Sequence, residues 1–363
     1  SVARLGPGKF GFIVSDDDEA SFRQRIQSLC EALHGLVYED QGGVYRLSVA
    51  IGTAPLSAGV DQETSLAAAG HAAVFARRLN DLPIYHSSAG DELFRQQQAQ
   101  LAQLEVVKEA LNEDRLILFC QEIRALDEQD KGVSLEVLVR MRGANGAVLP
   151  PSEFLPVAQT YGLTGEVDRC VVRKTFEWLA DHPERVAALG KVSINLSGST
   201  LSDPGFLPWL EQLQASAAVP AEKICFEVTE SELIADWGQA RELLETVRAK
   251  GFKVSLDDFG TGLATFEYLT GFPFDFVKID GMFVRDVLDN HVHRAIVSSV
   301  TSVASSMGLR TIAEFVGDER LIPCLAELGV NYVQGFAIGK PMPIGEFMLR
   351  LDEFSNSPLG MTG

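Results

Sequence analysis

KVSLDDFGTG, Lys253–Gly262, is an alternating apolar run that ends in two adjacent carboxylates, Asp257 and Asp258, and a loop with glycines at 260 and 262. A buried strand gains nothing by finishing on two like charges, which repel each other and resist desolvation. Such an ending requires a positive charge from elsewhere. The same grammar, an apolar strand closing on a polar residue, recurs on both sides of this stretch. Further strands are predicted at 116–123, 134–141, 191–197, 223–230, 274–280, 309–316 and 332–338. Helical patterns such as PSEFLPVAQTYG, ARELLETVRAKG and HRAIVSSVTSVASSMG fill most gaps and end in glycine, which suits the left-handed residue after a helix. Strands separated by helices imply a mostly parallel sheet, and eight of them in about 230 residues imply a (β/α)8 barrel. No helix separates the first two strands, so one of them is expected to run antiparallel.

Barrels of this kind collect chemistry at the C-terminal ends of their strands. Those ends carry Glu136, Asn195, Glu227, Glu230, Asp257, Asp258, Lys278, Asp280, Glu314 and Gln334. Any single acid among them reads most simply as a helix cap or a solvated side chain. Together they do not, since capping favours Ser, Thr, Asp and Asn over a glutamate set inside a Val/Ile strand. A cluster of hard oxygen donors suits Mg2+, Mn2+ or Ca2+, and two such ions bridged by Asp257 would stabilise an in-line phosphoryl displacement. The residues alone therefore suggest a metal-dependent hydrolase.

The chain has 363 residues, 46% of them hydrophobic, enough for two domains with separate cores. A formal charge of −19 with no Lys/Arg run disfavours nucleic acid and anionic membranes as partners. Five scattered cysteines without a C-x-x-C pair fit a reduced, cytoplasmic setting better than a disulfide framework, and Cys120, Cys170 and Cys225 read as small core residues. No apolar run reaches membrane-spanning length, although an anchor upstream of residue 1 would be invisible to this reading. His34, His71, His86, His182, His291 and His293 lack metal-ligand spacing, and no G-x-S-x-G elbow occurs.

Seven separated motifs then agree: Glu136–Arg140 as ExLxR, SINLS, Glu227–Glu230 in FEVTE, DDFGTG, VKID, Ala313–Glu314, and QGFxxGKP at Gln334–Pro341. In that order they resemble the EAL-domain family of cyclic di-GMP phosphodiesterases, over about 105–353. The resemblance implies hydrolysis of cyclic di-GMP to linear pGpG with two Mg2+ or Mn2+ ions. It implies Glu136, Asn195, Glu227 and Asp257 around one ion, and Asp257, Asp258 and Glu314 around the second. Lys278, Glu314 and Asp258 would serve the chemistry. Gln121, Leu138, Arg140, Asp280, Gln334 and Pro341 would frame the dinucleotide, and Glu230 would anchor the glycine-bearing loop. A homodimer through this domain and a protein signalling partner are also implied.

Three stretches depart from the family's pattern. AEFVG stands where AEGVE is usual, which puts Gly317 in place of a glutamate. Leu263, Ala264 and Thr265 replace an aromatic and two serines, and Cys120–Glu122 reads CQE rather than YQP. The alternative function is a receptor that binds the dinucleotide without turnover.

Residues 1–88 read as part of a small α/β domain, with strands at Phe10–Val14 and Val44–Ile51 and helices near 19–34 and 62–79. The abrupt opening on RLGPGKFGFIV predicts that the chain begins inside this domain. It is similar to the C-terminal half of a GGDEF (diguanylate cyclase) domain, with Gly8 and Lys9 in place of the signature's acidic pair; a plain structural hairpin is the other reading. A Walker-type reading of GPGK fails because Phe10 follows where Ser or Thr is needed. Leu93, Leu101, Leu104 and Leu111 recur at helical spacing, so 89–113 is expected to be a connecting helix or else a disordered linker. The second domain is placed at 114–355, followed by a tail at 356–363.

Overall fold

The computed structural model describes residues 2–6, 8–14, 18–34, 36–40, 43–46, 49–56, 62–78, 83–86, 92–127, 130, 132–260, 266–347 and 349. The chain divides into two compact units, Ser1–Ala102 and Gln103–Gly363. In the first, β1 (Val2–Gly6) and β2 (Lys9–Phe12) form an antiparallel hairpin. They are followed by α1 (Glu19–His34), β3 (Val37–Asp40), β4 (Gly43–Arg46), β5 (Ile51–Thr53), α2 (Gln62–Arg78) and β6 (Ile84–His86). The strand expected over Val44–Ile51 is thus two separate strands, β4 pairing with β3 and β5 pairing with β6. Ile26, Cys30 and Ile51 form a small core of their own. Helix α3 (Glu92–Asn112) covers the segment expected to be a connecting helix.

The second unit is a closed eight-stranded barrel with helices outside it. Its strands are β7 (Leu116–Ala125), β8 (Val133–Arg142), then, past the short β9 (Val148–Leu149), β10 (Leu189–Asn195), β11 (Ile224–Thr229), β12 (Lys253–Phe259), β13 (Phe276–Ile279), β14 (Arg310–Ala313) and β15 (Tyr332–Gln334). Around the ring, neighbours from β8 and β10 through β15 are parallel, while β7 closes the ring antiparallel to both β8 and β15; the short β9 pairs antiparallel with β8. A last short strand, β16 (Met342–Pro343), pairs with β7 at the rim. Gly162, Gly251 and Gly308 follow three of the outer helices at φ 72, 98 and 73, the left-handed conformation expected of them.

Period-two alternation sorts the strand residues. Val192, Ile194, Phe226, Val228, Val254, Leu256, Val277 and Ile279 belong to the main core, which the helix residues share. The opposite parity fills the barrel interior, where Ile123, Cys225, Phe276, Ile312 and Tyr332 form a second, smaller cluster. Two residues further along the parallel strands the same face carries Glu227, Lys278, Glu314 and Gln334. On antiparallel β7 the matching residue, Gln121, comes two before Ile123 rather than two after. The apolar interior therefore sets the depth and direction of the polar layer above it.

All five cysteines are free and buried. Among the described residues, no helix is long and apolar enough to cross a membrane.

Candidate metal and phosphodiester site

The polar layer converges on one ammonium group. Lys278 Nζ lies 2.8 Å from Glu227 Oε2, 2.8 Å from Glu314 Oε1, 3.1 Å from Asp257 Oδ1 and 3.3 Å from Glu136 Oε2, with 1% of the lysine side chain exposed. Gln334 Nε2 donates to Glu136 Oε2 at 2.7 Å, and Asn195 Nδ2 donates to Glu136 Oε1 at 2.8 Å. Strand register makes these meetings possible: Glu136 pairs with Gln121 on one side and Ser193 on the other, and Asn195 pairs with Glu227.

Successive strand residues point to opposite faces, so Asp257 and Asp258 cannot both face the interior of a regular strand. The pairing of β12 with β13 slips between Leu256 and Phe259, and Asp258 adopts φ 54. This bulge brings carboxylate oxygens of Asp257, Asp258 and Glu314 within 4.8 Å of one another. Bulges re-aim side chains in this way next to functional sites. Asp258 N–H also donates to Asp257 Oδ1 at 2.9 Å.

Four carboxylates thus share one buried ammonium, and Asp258 adds a fifth beside them. Burial pushes Glu227, Asp257 and Glu314 upward from the usual carboxylate range, and their mutual repulsion adds to it; Lys278 opposes this. Burial acts the same way on Glu136, but Lys278, Gln334 and Asn195 outweigh it and hold that carboxyl below its ordinary value. Lys278 is held well above its ordinary value because the four surrounding acids overcome its desolvation. Glu227 Oε1 is buried without a hydrogen-bond partner. Excess negative charge, an orphaned carboxylate oxygen and an all-oxygen donor set fit a hard divalent cation.

The remaining expected residues lie around this centre. Glu230 accepts the Gly260 N–H at 3.0 Å, at the start of the loop it was expected to anchor. Gln121 Nε2 donates to Gly339 O at 2.8 Å, which ties β7 to the segment before Pro341. Leu138 and Arg140 continue the Glu136 face of β8 toward the rim, and the Arg140 guanidinium stands 5.2 Å from the centre of the Phe119 ring. Asp280 is engaged locally, accepting the Met282 N–H at 2.7 Å as a helix cap. Gly317 is exposed outside the left-handed region, and a Cβ there would meet only Phe315 O at 3.9 Å, so the backbone does not require glycine. Leu263, Ala264 and Thr265 lie outside the described residues.

Three contributors escaped sequence reading. Glu232 accepts the Thr229 N–H at 2.9 Å in a capping box whose signal, Thr229-x-x-Glu232, is legible in the chain. Asp168, half-buried on an outer helix, accepts from Ser197 N and Oγ and from Thr200 Oγ1, fixing the loop that follows Asn195. Lys191 precedes Asn195 by four residues on the same strand face, and the alternation KVSIN could have revealed it.

Fold and site together define a (β/α)8 barrel with one reversed strand and a cluster of carboxylates on its C-terminal rim. The chain belongs to the EAL-domain family, whose profile matches residues 104–341. It is 33% identical over 359 residues to the cyclic di-GMP phosphodiesterase PdeB of Shewanella oneidensis, covering 95% of this chain and 40% of that protein. It is 31% identical over 265 residues to the cyclic di-GMP phosphodiesterase PdeF of Escherichia coli, covering 73% of this chain and 35% of the relative. The chain therefore spans less than half the length of these relatives. Among solved structures, the FimX EAL domain from Pseudomonas aeruginosa bound to c-di-GMP aligns with a TM-score of 0.61 at 28% identity, over 66% of this chain and 96% of that one. The PaMucR phosphodiesterase in complex with c-di-GMP aligns with a TM-score of 0.61 at 28% identity, over 68% and 99%.

Proposed function

We propose that this chain hydrolyses cyclic di-GMP to linear pGpG, using two Mg2+ or Mn2+ ions. The observation that carries the reading is the convergence of Glu136, Glu227, Asp257, Asp258 and Glu314 on the rim around buried Lys278. Glu136, Asn195, Glu227 and Asp257 would hold one ion, and Asp257, Asp258 and Glu314 the other. Bound there, the ions would supply a water of lowered pKa and offset phosphate charge. Lys278 keeps four acids in fixed positions and sets an ammonium beside the phosphoryl group as charge develops on it. Gln121, Leu138, Arg140, Gln334 and Pro341 would frame the dinucleotide, with Arg140 available for a charge-assisted bond to a phosphate. A second copy of the chain, paired through the barrel, and a signalling protein are the partners this reading expects.

Chromatography of cyclic di-GMP incubated with the protein and Mg2+ or Mn2+ tests it. The wild type is expected to yield pGpG and Asp257→Asn none, because an amide removes the charge shared by both ions. Unchanged turnover by Asp257→Asn would sink the two-ion reading. Tight binding by the wild type without any product would instead identify a receptor.

A further inference from the structure

Lys191, Ser193 and Asn195 share the interior face of β10, and Lys191 is only 4% exposed. Its ammonium donates to Ser193 Oγ at 2.9 Å and sits 4.6 Å from the centre of the Phe276 ring. Among the described residues, no carboxylate lies within ion-pair distance of it. A buried ammonium held by one hydroxyl and one ring is costly. Packing of its methylene stem explains the aliphatic part of the side chain but not the buried head.

The register supplies the missing partner. Ser193, which holds the ammonium, pairs with Cys225 on β11 and with Glu136 on β8, and Asn195, two residues on, pairs with Glu227, so the ammonium lies at the floor of the carboxylate cluster. Ser255, the register partner of Glu227 on β12, faces the same space with a fully buried hydroxyl. We infer that Lys191 is a positioning residue of the acidic site: its charge, acting on Glu227 from below, sets how tightly the site takes a divalent cation. The inference rests on the reading that a cation binds at this cluster.

Isothermal titration calorimetry with Mn2+ at pH 8 tests it on wild type, Lys191→Met, Lys191→Gln and Lys191→Arg, with Asp257→Asn as the control lacking the site. Removing a like charge from a low-dielectric neighbourhood is expected to tighten Mn2+ binding about tenfold in both neutral variants. Lys191→Arg should keep the wild-type affinity. A role limited to packing would lower thermal stability while leaving affinity unchanged, and that result overturns the inference. So does an arginine variant that tightens as the methionine one does, because charge would then not be the cause. If the wild type gives no Mn2+ heat beyond Asp257→Asn, the cation reading itself falls, and this inference with it.

Discussion

Two rim residues hold a backbone conformation that L-residues avoid, Asp258 at φ 54 and Phe315 at φ 53. Aspartate tolerates it through local hydrogen bonding; phenylalanine does not. The Phe315 ring lies directly over Gly281, where an added Cβ would meet it at 2.4 Å, and the Arg285 guanidinium covers it at 4.6 Å. These contacts offset the strain. Phe315→Ala should lose them and keep the strain, whereas Phe315→Gly loses both. The glycine variant is therefore expected to be the more stable by about 1 kcal/mol, the reverse of the usual order, as read by urea denaturation. Equal stabilities would mean that position 315 stores no strain. Most of the acid cluster was legible because Glu136, Glu227, Asp257 and Glu314 obey period two. Asp258 is reached only through a bulge, and no alternation rule could announce its inward turn. The AEFVG departure drew attention to Gly317, yet the conformational demand falls on Phe315.

At the scale of elements, the junction between β11 and the short helix that follows it (Glu230–Ala235) is fixed by Glu232. Burial pushes its carboxyl up to about 7, despite the Thr229 N–H it accepts. The folded state thus binds a proton that the unfolded chain releases near its ordinary value of 4.5. Stability from this group is full below that value and is lost as pH rises toward 7, by about 3 kcal/mol in all. Glu232→Gln should flatten the difference between wild-type stabilities at pH 5 and pH 8. Denaturant midpoints for both proteins at each pH measure this, and parallel pH dependences would refute it. Elements were legible in kind but less so in extent. β14 and β15 stop at Ala313 and Gln334, short of the expected 316 and 338, because Phe315 and Gly335 (φ 155) turn the chain immediately afterwards. That one of the first two strands runs antiparallel was readable from the missing helix, but not that it would be β7.

For the whole molecule, the first unit is proposed to be a cyclase-like remnant without synthetic activity. Gly8 sits at φ 66 in the turn between β1 and β2, and Lys9 opens β2, so no carboxylate occupies either position. A hard cation bound to GTP would find no anionic ligand there. Incubation of the chain with GTP and Mg2+ is expected to give no cyclic di-GMP by chromatography, and its formation would overturn the assignment. The barrel was legible as a whole because its helices and strands alternate regularly. The first unit was less so, since its strands are short and its hairpin fits more than one reading.

The reversed direction of β7 has a topological consequence. In an all-parallel barrel the first strand starts at the floor, remote from the chemistry. Here Leu116 pairs with Met141 near the end of β8, so the chain enters at the rim and reaches Gln121 on its way down. Helix α3 leads straight into that strand, with Val107 and Ala110 seated in the barrel's main core. The residues that join α3 to the barrel therefore lie at the rim, one strand away from the wall of the site.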